Sequence, residues 1–364
     1  MASLRLLLII VGVGALAIAA AWSLTGLAPD RQARSGYLDM HVHAAGIGAG
    51  GSGAFINQAM RNSYKFAIYL RAMGVTEAEL EAEGDAVLLR KLATRIRESQ
   101  RVDDAVILAM DGVIGADGSL DEARTQIYVP NDYLIRELAR YPNLHLGASI
   151  NPYRPDALVR LDAVAAAGAV LVKWIPNIQL IDPADPAIEP FYRRMVALEL
   201  PLLSHAGQER SFAGADDRFG DPQRLELPLS LGVTVIAAHI ATTGSVDGQR
   251  NFDRILPLFR RYPNLYTDIS SLTQINKLNY LNEALEQAGL IDRMIYGSDW
   301  PLQFFPLVSP LYHLNHISLG EAKGAWAHEN QWDRNVVLKE HLGVPPEVFT
   351  RGRKLLGVAA RSNR

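Results

Sequence analysis

The sequence predicts an α/β protein in which eight strands alternate with helices and form a (β/α)8 TIM barrel. Three observations predict this class. Short apolar runs rich in β-forming residues recur along the chain, and helical stretches separate them. The units from Tyr37 to Asp299 average about 33 residues, so their total matches the roughly 250 residues of such a barrel. A doubly wound open sheet built from the same units is the alternative architecture.

The predicted strands are short and mostly apolar. Val233–Ala238 is typical, because a continuous apolar run suits a strand that is buried on both faces, as in a parallel sheet. Asp156–Ala167 and Phe252–Arg261 have the pattern of crossover helices between strands. In chain order, the strands are expected at Tyr37–Val42, Ala105–Met110, Leu144–Ile150, Ala169–Ile175, Leu200–Ser204, Gly232–Ala238, Asn264–Ile269 and Arg293–Gly297.

A long insertion, Ala44–Val102, separates the first two strands. It is expected to be helical over Phe55–Met73, Thr76–Glu83 and Asp85–Glu98. The segment T-E-A-E from Thr76 to Glu79 is a capping-box pattern and indicates a helix start. The last part of the chain, from residue 311 to residue 364, has helical patterns of its own but no apolar periodicity that predicts a second domain.

The insertion opens with a glycine-rich stretch, residues 45–53. Gly46, Gly48 and Gly51 have the spacing of a dinucleotide-binding loop, but no clean strand–helix unit surrounds them. We therefore expect a loop at the mouth of the barrel and no phosphate site.

The N-terminal segment does not belong to the barrel. Leu6–Trp22 is apolar and uncharged, and a helix from Leu6 to Leu27 would be about 33 Å long, enough to cross a bilayer. Small residues at Ala17, Ala19, Ala20 and Ala21 would also suit signal peptidase, so the segment is either a membrane anchor or a cleaved signal peptide. A buried core helix is disfavoured, because nothing amphipathic interrupts the apolar run. The expected domains are this segment, residues 1–30, and the barrel, residues 31–364. Both alternatives predict a membrane-anchored or exported protein, in a bacterial-type periplasm or cell envelope, that contacts the membrane only if the segment is uncleaved.

Composition excludes several classes of protein. The chain has 364 residues, 49% of them hydrophobic, and its 36 Lys and Arg against 39 Asp and Glu give a net charge of −3, so no nucleic-acid partner is expected. The absence of cysteine excludes disulfides, thiolate zinc sites and a cysteine nucleophile. One basic cluster is expected on the solvated face of a last helix, and it comprises Arg351, Arg353, Lys354, Arg361 and Arg364.

Potential metal ligands follow the predicted strands. His41 and His43 end the first strand, and residues two apart on a strand project to the same side, so the two imidazoles can meet at one point. His205, His239 and Asp299 end the fifth, sixth and eighth strands. The carboxyl ends of barrel strands build the active sites of these folds, and imidazoles with a carboxylate suit zinc or a similar divalent ion.

Three further features complete the expected site. Asp39 precedes the histidine pair and is expected to orient a ligand. Lys173 interrupts the apolar fourth strand, where it is either exposed or paired, or is carboxylated by carbon dioxide and bridges two metals. Aromatic side chains near the ends of strands four and eight either line the pocket or pack in the core; these are Trp174, Trp300, Phe304 and Phe305.

From Tyr37 to Trp300 the chain resembles the amidohydrolase superfamily. The D-x-H-x-H segment ending at His43 and the G-S-D-x-P segment around Asp299 are closest to its amidohydrolase-related branch, which also includes metal-dependent decarboxylases. The resemblance implies one or two divalent ions, Zn²⁺ foremost, with His41, His43, His205 and Asp299 as ligands of the first. It also implies that His239 either completes a second metal site with carboxylated Lys173 or polarises the substrate.

The function expected from these residues is a metal-dependent hydrolase that acts on a small molecule through a metal-activated water. The scissile bond would belong to an amide, ester, lactone or related group, and Asp299 and His239 would be the catalytic residues. A metal-dependent decarboxylase on the same scaffold is the alternative. A binding protein on an inactive barrel is the third hypothesis.

Overall fold

A computed structural model of the protein describes residues 36–360, in which eight parallel strands form one sheet in sequence order. All eight predicted strands are present, each within a few residues of its predicted position. The strands are β1 (Tyr37–His43), β2 (Val102–Leu108), β3 (Leu144–Ala148), β4 (Leu171–Trp174), β5 (Leu202–His205), β6 (Val235–Ala238), β7 (Leu265–Asp268) and β8 (Met294–Ile295).

The sheet closes where β8 meets β1. The amide of Met40 donates to the carbonyl of Tyr296 at 3.3 Å, and the amide of His43 donates to the carbonyl of Trp300 at 3.0 Å. Val42 and Trp300 also form a parallel bridge. This closure confirms the TIM barrel and excludes the doubly wound sheet, which would leave both edge strands open.

The interior of the barrel is filled by apolar side chains. These side chains form a cluster of their own, separate from the larger core between the strands and the helices. Buried Leu356 and Val358 from the C-terminal segment join the inner cluster. Its strand members are Leu38, Met40, Val106, Leu108, Leu171, Leu203, Ile236, Ala238 and Ile295.

Helices surround the strands and form the insertion and the C-terminal segment. The predicted crossover helices are present at α6 and α10. The helices are α1 (Gln58–Arg61), α2 (Tyr64–Met73), α3 (Glu77–Glu83), α4 (Ala86–Glu98), α5 (Asn131–Leu138), α6 (Ala157–Ala166), α7 (Pro176–Gln179), α8 (Glu189–Ala197), α9 (Glu226–Ser230), α10 (Asn251–Arg261), α11 (Tyr280–Leu285), α12 (Leu319–Trp326), α13 (Gln331–His341) and α14 (Pro346–Leu355).

The helix predicted over Phe55–Met73 is broken into three parts. Phe55–Ile56 forms a two-residue antiparallel pair with Ile127–Tyr128, and α1 and α2 follow it. The break has a local cause, because the side chain of Asn57 caps α1 by accepting from the amide of Met60 at 2.9 Å. The predicted start at Thr76 is confirmed, since its hydroxyl accepts from the amide of Glu79.

The glycine-rich stretch is bound to the buried carboxylate of Asp85. That carboxylate accepts from the amides of Ile47 and Gly48, both at 3.0 Å, and from the hydroxyl of Ser52 at 2.5 Å. A Cβ on Gly46 would lie 2.4 Å from the same carboxylate, so only glycine permits the approach. The amides of Ile47 and Gly48 and the hydroxyl of Ser52 therefore already have acceptors within the chain.

The expectation of a fully solvated basic face on the last helix is wrong for Arg353. Its side chain is buried, donates to the carbonyl of Gly36 at 2.6 Å and forms an ion pair with Asp104. Burial alone would raise the pKa of Asp104, but hydrogen bonds from His145 and Arg353 hold that pKa below its usual value. Arg353 therefore attaches α14 to β1 and β2, while its neighbour Lys354 is exposed.

None of the helices between residues 36 and 360 combines the length and the apolar character needed to cross a membrane. The expected anchor or signal peptide, and the domain boundary after residue 30, lie outside the described residues.

We expect Arg353→Gln to lower the free energy of unfolding by about 3 kcal/mol at neutral pH, because it leaves the buried Asp104 carboxylate without its cation. The loss should shrink in acid, since an aspartate with a lowered folded-state pKa stabilises the fold above its unfolded pKa of about 3.9 and ceases to do so as pH falls. Urea unfolding at several pH values measures both effects. Lys354→Gln is the matched control, and an equal loss in both variants would contradict the role of Arg353.

Candidate active site

The sequence-predicted site residues collect at the carboxyl ends of the strands. They come from five strands that face one another across the barrel, and all but His43 are buried. His41 and His43 belong to β1, Lys173 to β4 and His205 to β5. His239 follows β6 directly, and Asp299 lies a few residues after β8.

An irregularity in β1 turns its histidines inward. Asp39 pairs with Ala105 and Val42 pairs with Ile107, so β1 uses three residues where β2 uses two. The extra residue is a β-bulge, and it shifts the alternation of inward and outward side chains. As a result, Met40 packs in the inner cluster and His41 nevertheless faces the barrel interior.

Three ligand atoms surround one point at the mouth of the barrel. The distance from His41 Nε2 to His43 Nε2 is 3.2 Å, from His43 Nε2 to Asp299 Oδ1 is 3.1 Å, and from His41 Nε2 to Asp299 Oδ1 is 3.4 Å. Ligands about 2.1 Å from a common ion are separated by about 3.0–3.4 Å in octahedral and tetrahedral geometry. The three atoms therefore have the spacing of a metal-binding group.

Asp268 fixes the orientation of His41. Its Oδ2 lies 2.7 Å from Nδ1 of His41, so that nitrogen carries the proton and Nε2 keeps a free lone pair toward His43 and Asp299. Burial lowers the pKa of His41 to about 4, which keeps the ring neutral at neutral pH. A carboxylate that holds a histidine in this tautomer is the usual partner of a metal ligand.

Asp268 is itself held by the surrounding backbone. Its Oδ1 accepts from the amide of His239 at 2.9 Å and from the amide and hydroxyl of Ser270 at 3.1 and 2.6 Å. His41, His239 and Asp268 thus also form a compact group. Because both oxygens of Asp268 already accept hydrogen bonds, this second group positions side chains and leaves little capacity for an ion.

Asp39 contacts the predicted ligand His41 through its backbone amide and does not contact a histidine ring. Its oxygens accept from the backbone amides of His41 and Ser298 at 3.1 and 2.9 Å, and from Nε1 of Trp332 at 2.8 Å. The β1 bulge is the reason, since it separates the direction of Asp39 from that of His41. Asp39 instead joins the end of β1 to the segment that carries Asp299.

His239 faces Asp299 from the other side of the site. Its Nδ1 lies 2.8 Å from the hydroxyl and 3.1 Å from the carbonyl of Ser270, and its Nε2 lies 4.0 Å from Asp299 Oδ2. Burial lowers the pKa of His239 well below the usual histidine value, so the ring is neutral. The hydroxyl of Ser271 donates to the same Oδ2 of Asp299.

His205 lies outside the compact group of His41, His43 and Asp299. Its Nδ1 lies 3.7 Å from a carboxylate oxygen of Glu209, and its buried Nε2 has no hydrogen-bond partner in the described part of the chain. Burial lowers the pKa of His205. A buried imidazole nitrogen without a partner is costly unless a ligand or water binds it, so Nε2 is available to an exogenous group.

Lys173 is buried in the site, and the exposed alternative is excluded. It is 1% exposed, and its Nζ lies 3.2 Å from Nε2 of His41. Burial lowers the pKa of Lys173 to about 8. The amine therefore lies beside a potential metal ligand.

The backbone at the site is strained. Non-glycine residues with positive φ occur at His239, Ser271 and Asp299, where φ is 58°, 61° and 62°. The amide of Asp299 is held by the carbonyl of His41 at 2.9 Å. A Cβ on Gly297 would lie 2.8 Å from Cβ of His41, so glycine is required where β8 passes the first histidine.

Three functional residues were missed by the sequence analysis. The sequence contained a signal for Asp268, because this residue lies at the carboxyl end of a strand, β7, just as Asp299 follows β8. Glu209 lies four residues beyond β5 and its side chain is 8% exposed. Buried Lys277 had no signal, since it lies in a 3-10 turn nine residues after β7, and only the tertiary fold brings it into the wall of an adjoining pocket that Glu209 also lines.

A cavity that is partly open to solvent lies above these residues. His41, His43, Lys173, Asp299 and other polar groups line one part of it. Of the two alternatives for the aromatic side chains near the ends of strands four and eight, core packing is observed for Trp174 and Trp300. Trp174 packs against Phe191 and Tyr192, Trp300 stacks on Trp332, and Phe305 is exposed at the surface.

Comparison with known proteins identifies the family of the chain. A family model described as "Amidohydrolase" matches residues 38–306, which is most of the chain. The protein belongs to the amidohydrolase family. No curated protein matches the sequence.

Solved structures show the same fold at low identity. A probable 2-pyrone-4,6-dicarboxylic acid hydrolase from Acinetobacter baumannii is 15% identical, with a TM-score of 0.53 over 88% of this chain and 99% of that one. A putative enzyme of the same name from Pseudomonas putida is 18% identical, with a TM-score of 0.51 and coverages of 88% and 97%. An uncharacterised TIM-barrel protein from Bordetella bronchiseptica is 17% identical, with a TM-score of 0.51 and coverages of 84% and 99%.

We expect Asp268→Asn to release His41 from its present tautomer and to weaken divalent-metal binding about 10–100-fold, because the carboxylate that holds Nδ1–H is lost. Histidine ¹⁵N chemical shifts report the tautomer, and metal titration reports the affinity. Asp292→Asn, an exposed site away from the cavity, makes the same charge change as a control. Unchanged histidine shifts in Asp268→Asn would contradict the positioning role.

Proposed function

We propose that this amidohydrolase is a metal-dependent hydrolase of an amide, ester, lactone or related bond. The observation that carries the proposal is the convergence of His41 Nε2, His43 Nε2 and Asp299 Oδ1 within 3.1–3.4 Å of one another at the mouth of the barrel. Family membership supports the same class of reaction.

The chemistry of the donor set fits a divalent ion, and we propose Zn²⁺. Two imidazoles with a carboxylate are ligands that zinc accepts, and three protein ligands leave a position for water. The buried, unpartnered Nε2 of His205 supports a further ligand at the same cavity. A divalent ion held here would lower the pKa of a bound water from 15.7 to about 7 and so supply a nucleophile at neutral pH.

Asp299 is placed to accept a proton from the attacking water and to return it to the leaving group. One of its oxygens faces the two histidines of β1, and the other accepts from Ser271 and faces His239. Burial alone would raise the pKa of Asp299, but the hydrogen bond with His43 holds it well below its usual value. The ionised carboxylate can therefore accept a proton from the attacking water and return it to the leaving group.

His239 is placed to bind a second ion. Its ring is neutral and oriented by Ser270, and its Nε2 faces the carboxylate of Asp299 and the cavity. Because Nδ1 lies 3.1 Å from the Ser270 carbonyl, the neutral ring carries its proton there, and Nε2 presents a lone pair that suits a metal ligand. A carboxylated Lys173 with His205 and His239 would form a second metal site.

Metal content is the first test. His43→Ala removes one of the three converging ligands, and we expect it to weaken metal binding by more than about 100-fold and to abolish hydrolysis. Elemental analysis of the purified protein and assays on a panel of lactones, esters and amides measure the two effects. His316→Ala, an exposed histidine outside the site, should change neither. A metal-free but fully active His43→Ala variant would refute the proposal.

The state of Lys173 separates hydrolase from decarboxylase. We propose that it is carboxylated and bridges two ions, since a buried amine 3.2 Å from a metal ligand is within reach of the same centre. Growth with ¹³C-bicarbonate should give a carbamate NMR signal that is absent from Lys173→Met, together with two metal ions per chain. A single ion and no carbamate would favour the decarboxylase, which uses nearly the same side chains.

A further inference from the structure

The cavity has a polar end and an apolar end. The metal-binding group forms the polar end, and the apolar end is a compartment that we call the apolar chamber. The chamber is formed mainly by the insertion after β1, with contributions from the segments that follow β2 and β5. Its principal walls are Met60, Phe66, Leu70, Met73, Met110 and Phe212.

The insertion holds its chamber wall in a fixed position. Phe66, Leu70 and Met73 are the buried residues of α2, and they occupy one face of that helix while Tyr64 and Ile68 are exposed on the other. The amine of Lys65 donates to the carbonyl of Arg210 at 3.1 Å, which ties α2 to the loop after β5.

Charge is confined to the polar end. The residues that line the cavity include no arginine, and the acids and the amine among them are Glu209, Asp299 and Lys173 at the metal-binding end. A carboxylate bound in the chamber would therefore be buried without a cation, which is strongly unfavourable. An uncharged hydrocarbon would be stabilised there by burial of its surface.

We propose that the substrate carries an uncharged hydrocarbon group that occupies the apolar chamber while its reacting carbonyl lies at His41, His43 and Asp299. The placement of the carbonyl rests on the proposed function, whereas the chamber rests on its own lining. Three methionine side chains in the wall, which are flexible and polarizable, suit a hydrocarbon whose shape varies between related substrates.

A series of n-alkyl hydroxamic acids, from acetohydroxamic to decanohydroxamic acid, tests the proposal on the metal-loaded protein. The hydroxamate binds the metal and the alkyl chain extends from it. Each methylene that enters the chamber should tighten binding by up to about fourfold until the chamber is filled. Calorimetric titration measures the dissociation constants, and affinities that do not increase with chain length would overturn the proposal.

A matched pair of variants locates the effect. Met60→Gln places a polar group of similar size in the chamber, and Ile68→Gln makes a comparable change on the exposed face of α2. Met60→Gln should reduce the affinity for decanohydroxamic acid about tenfold or more and leave acetohydroxamic acid unaffected, whereas Ile68→Gln should alter neither. If Met60→Gln does not fold, Met110→Gln tests the same wall from the segment after β2.

The same titration with n-alkanols distinguishes failure of the chamber from failure of the metal site. Alkanols have no chelating group, so their gain in affinity with chain length depends on the chamber alone. A gain with alkanols but no binding of acetohydroxamic acid would support the chamber and refute the metal centre. Tight binding of acetohydroxamic acid with no gain in either series would refute the chamber and leave the metal centre standing.

Discussion

The pairing of buried polar groups governs the carboxyl end of this barrel. His41 is fully buried and touches Asp268, His43, Asp299 and Lys173 through its two ring nitrogens. An isolated polar group at such a position would be strongly destabilising, so each member requires its neighbours. Asp268 connects the most parts of this network. One of its oxygens accepts a hydrogen bond from His41, and the other accepts hydrogen bonds from the backbone after β6 and β7.

The sequence predicted the scaffold because its pattern depends on local physics. Buried parallel strands require apolar runs, and all eight were located. The histidines and Asp299 were found by the rule that strand ends build the site. The rule fails where one extra residue changes the direction of a side chain, as the β1 bulge does for Asp39, and no periodic pattern reveals such a residue. Arg353 and Lys277 were misjudged or missed because their burial depends on distant segments.

The two ends of the cavity have different origins in the chain. Residues that would do chemistry lie on or next to strands whose positions are fixed by the barrel, whereas the apolar chamber comes mainly from the insertion between β1 and β2. Loops can change without disturbing the barrel, so substrate preference and reaction chemistry can vary separately on one fold. The fold shared with the solved structures therefore does not transfer their substrates to this protein.

Lys173 imposes a condition on metal binding that follows from geometry. The lone pair on Nε2 of His41 has one direction, and the amine of Lys173 lies 3.2 Å from that nitrogen. An ammonium group at this position would donate to the lone pair that a metal ion needs and would also repel the ion. A neutral or carboxylated lysine removes both conflicts, and the carboxylated form adds a ligand. The chemical state of Lys173 on β4 thus determines whether His41 acts as a hydrogen-bond acceptor or as a metal ligand.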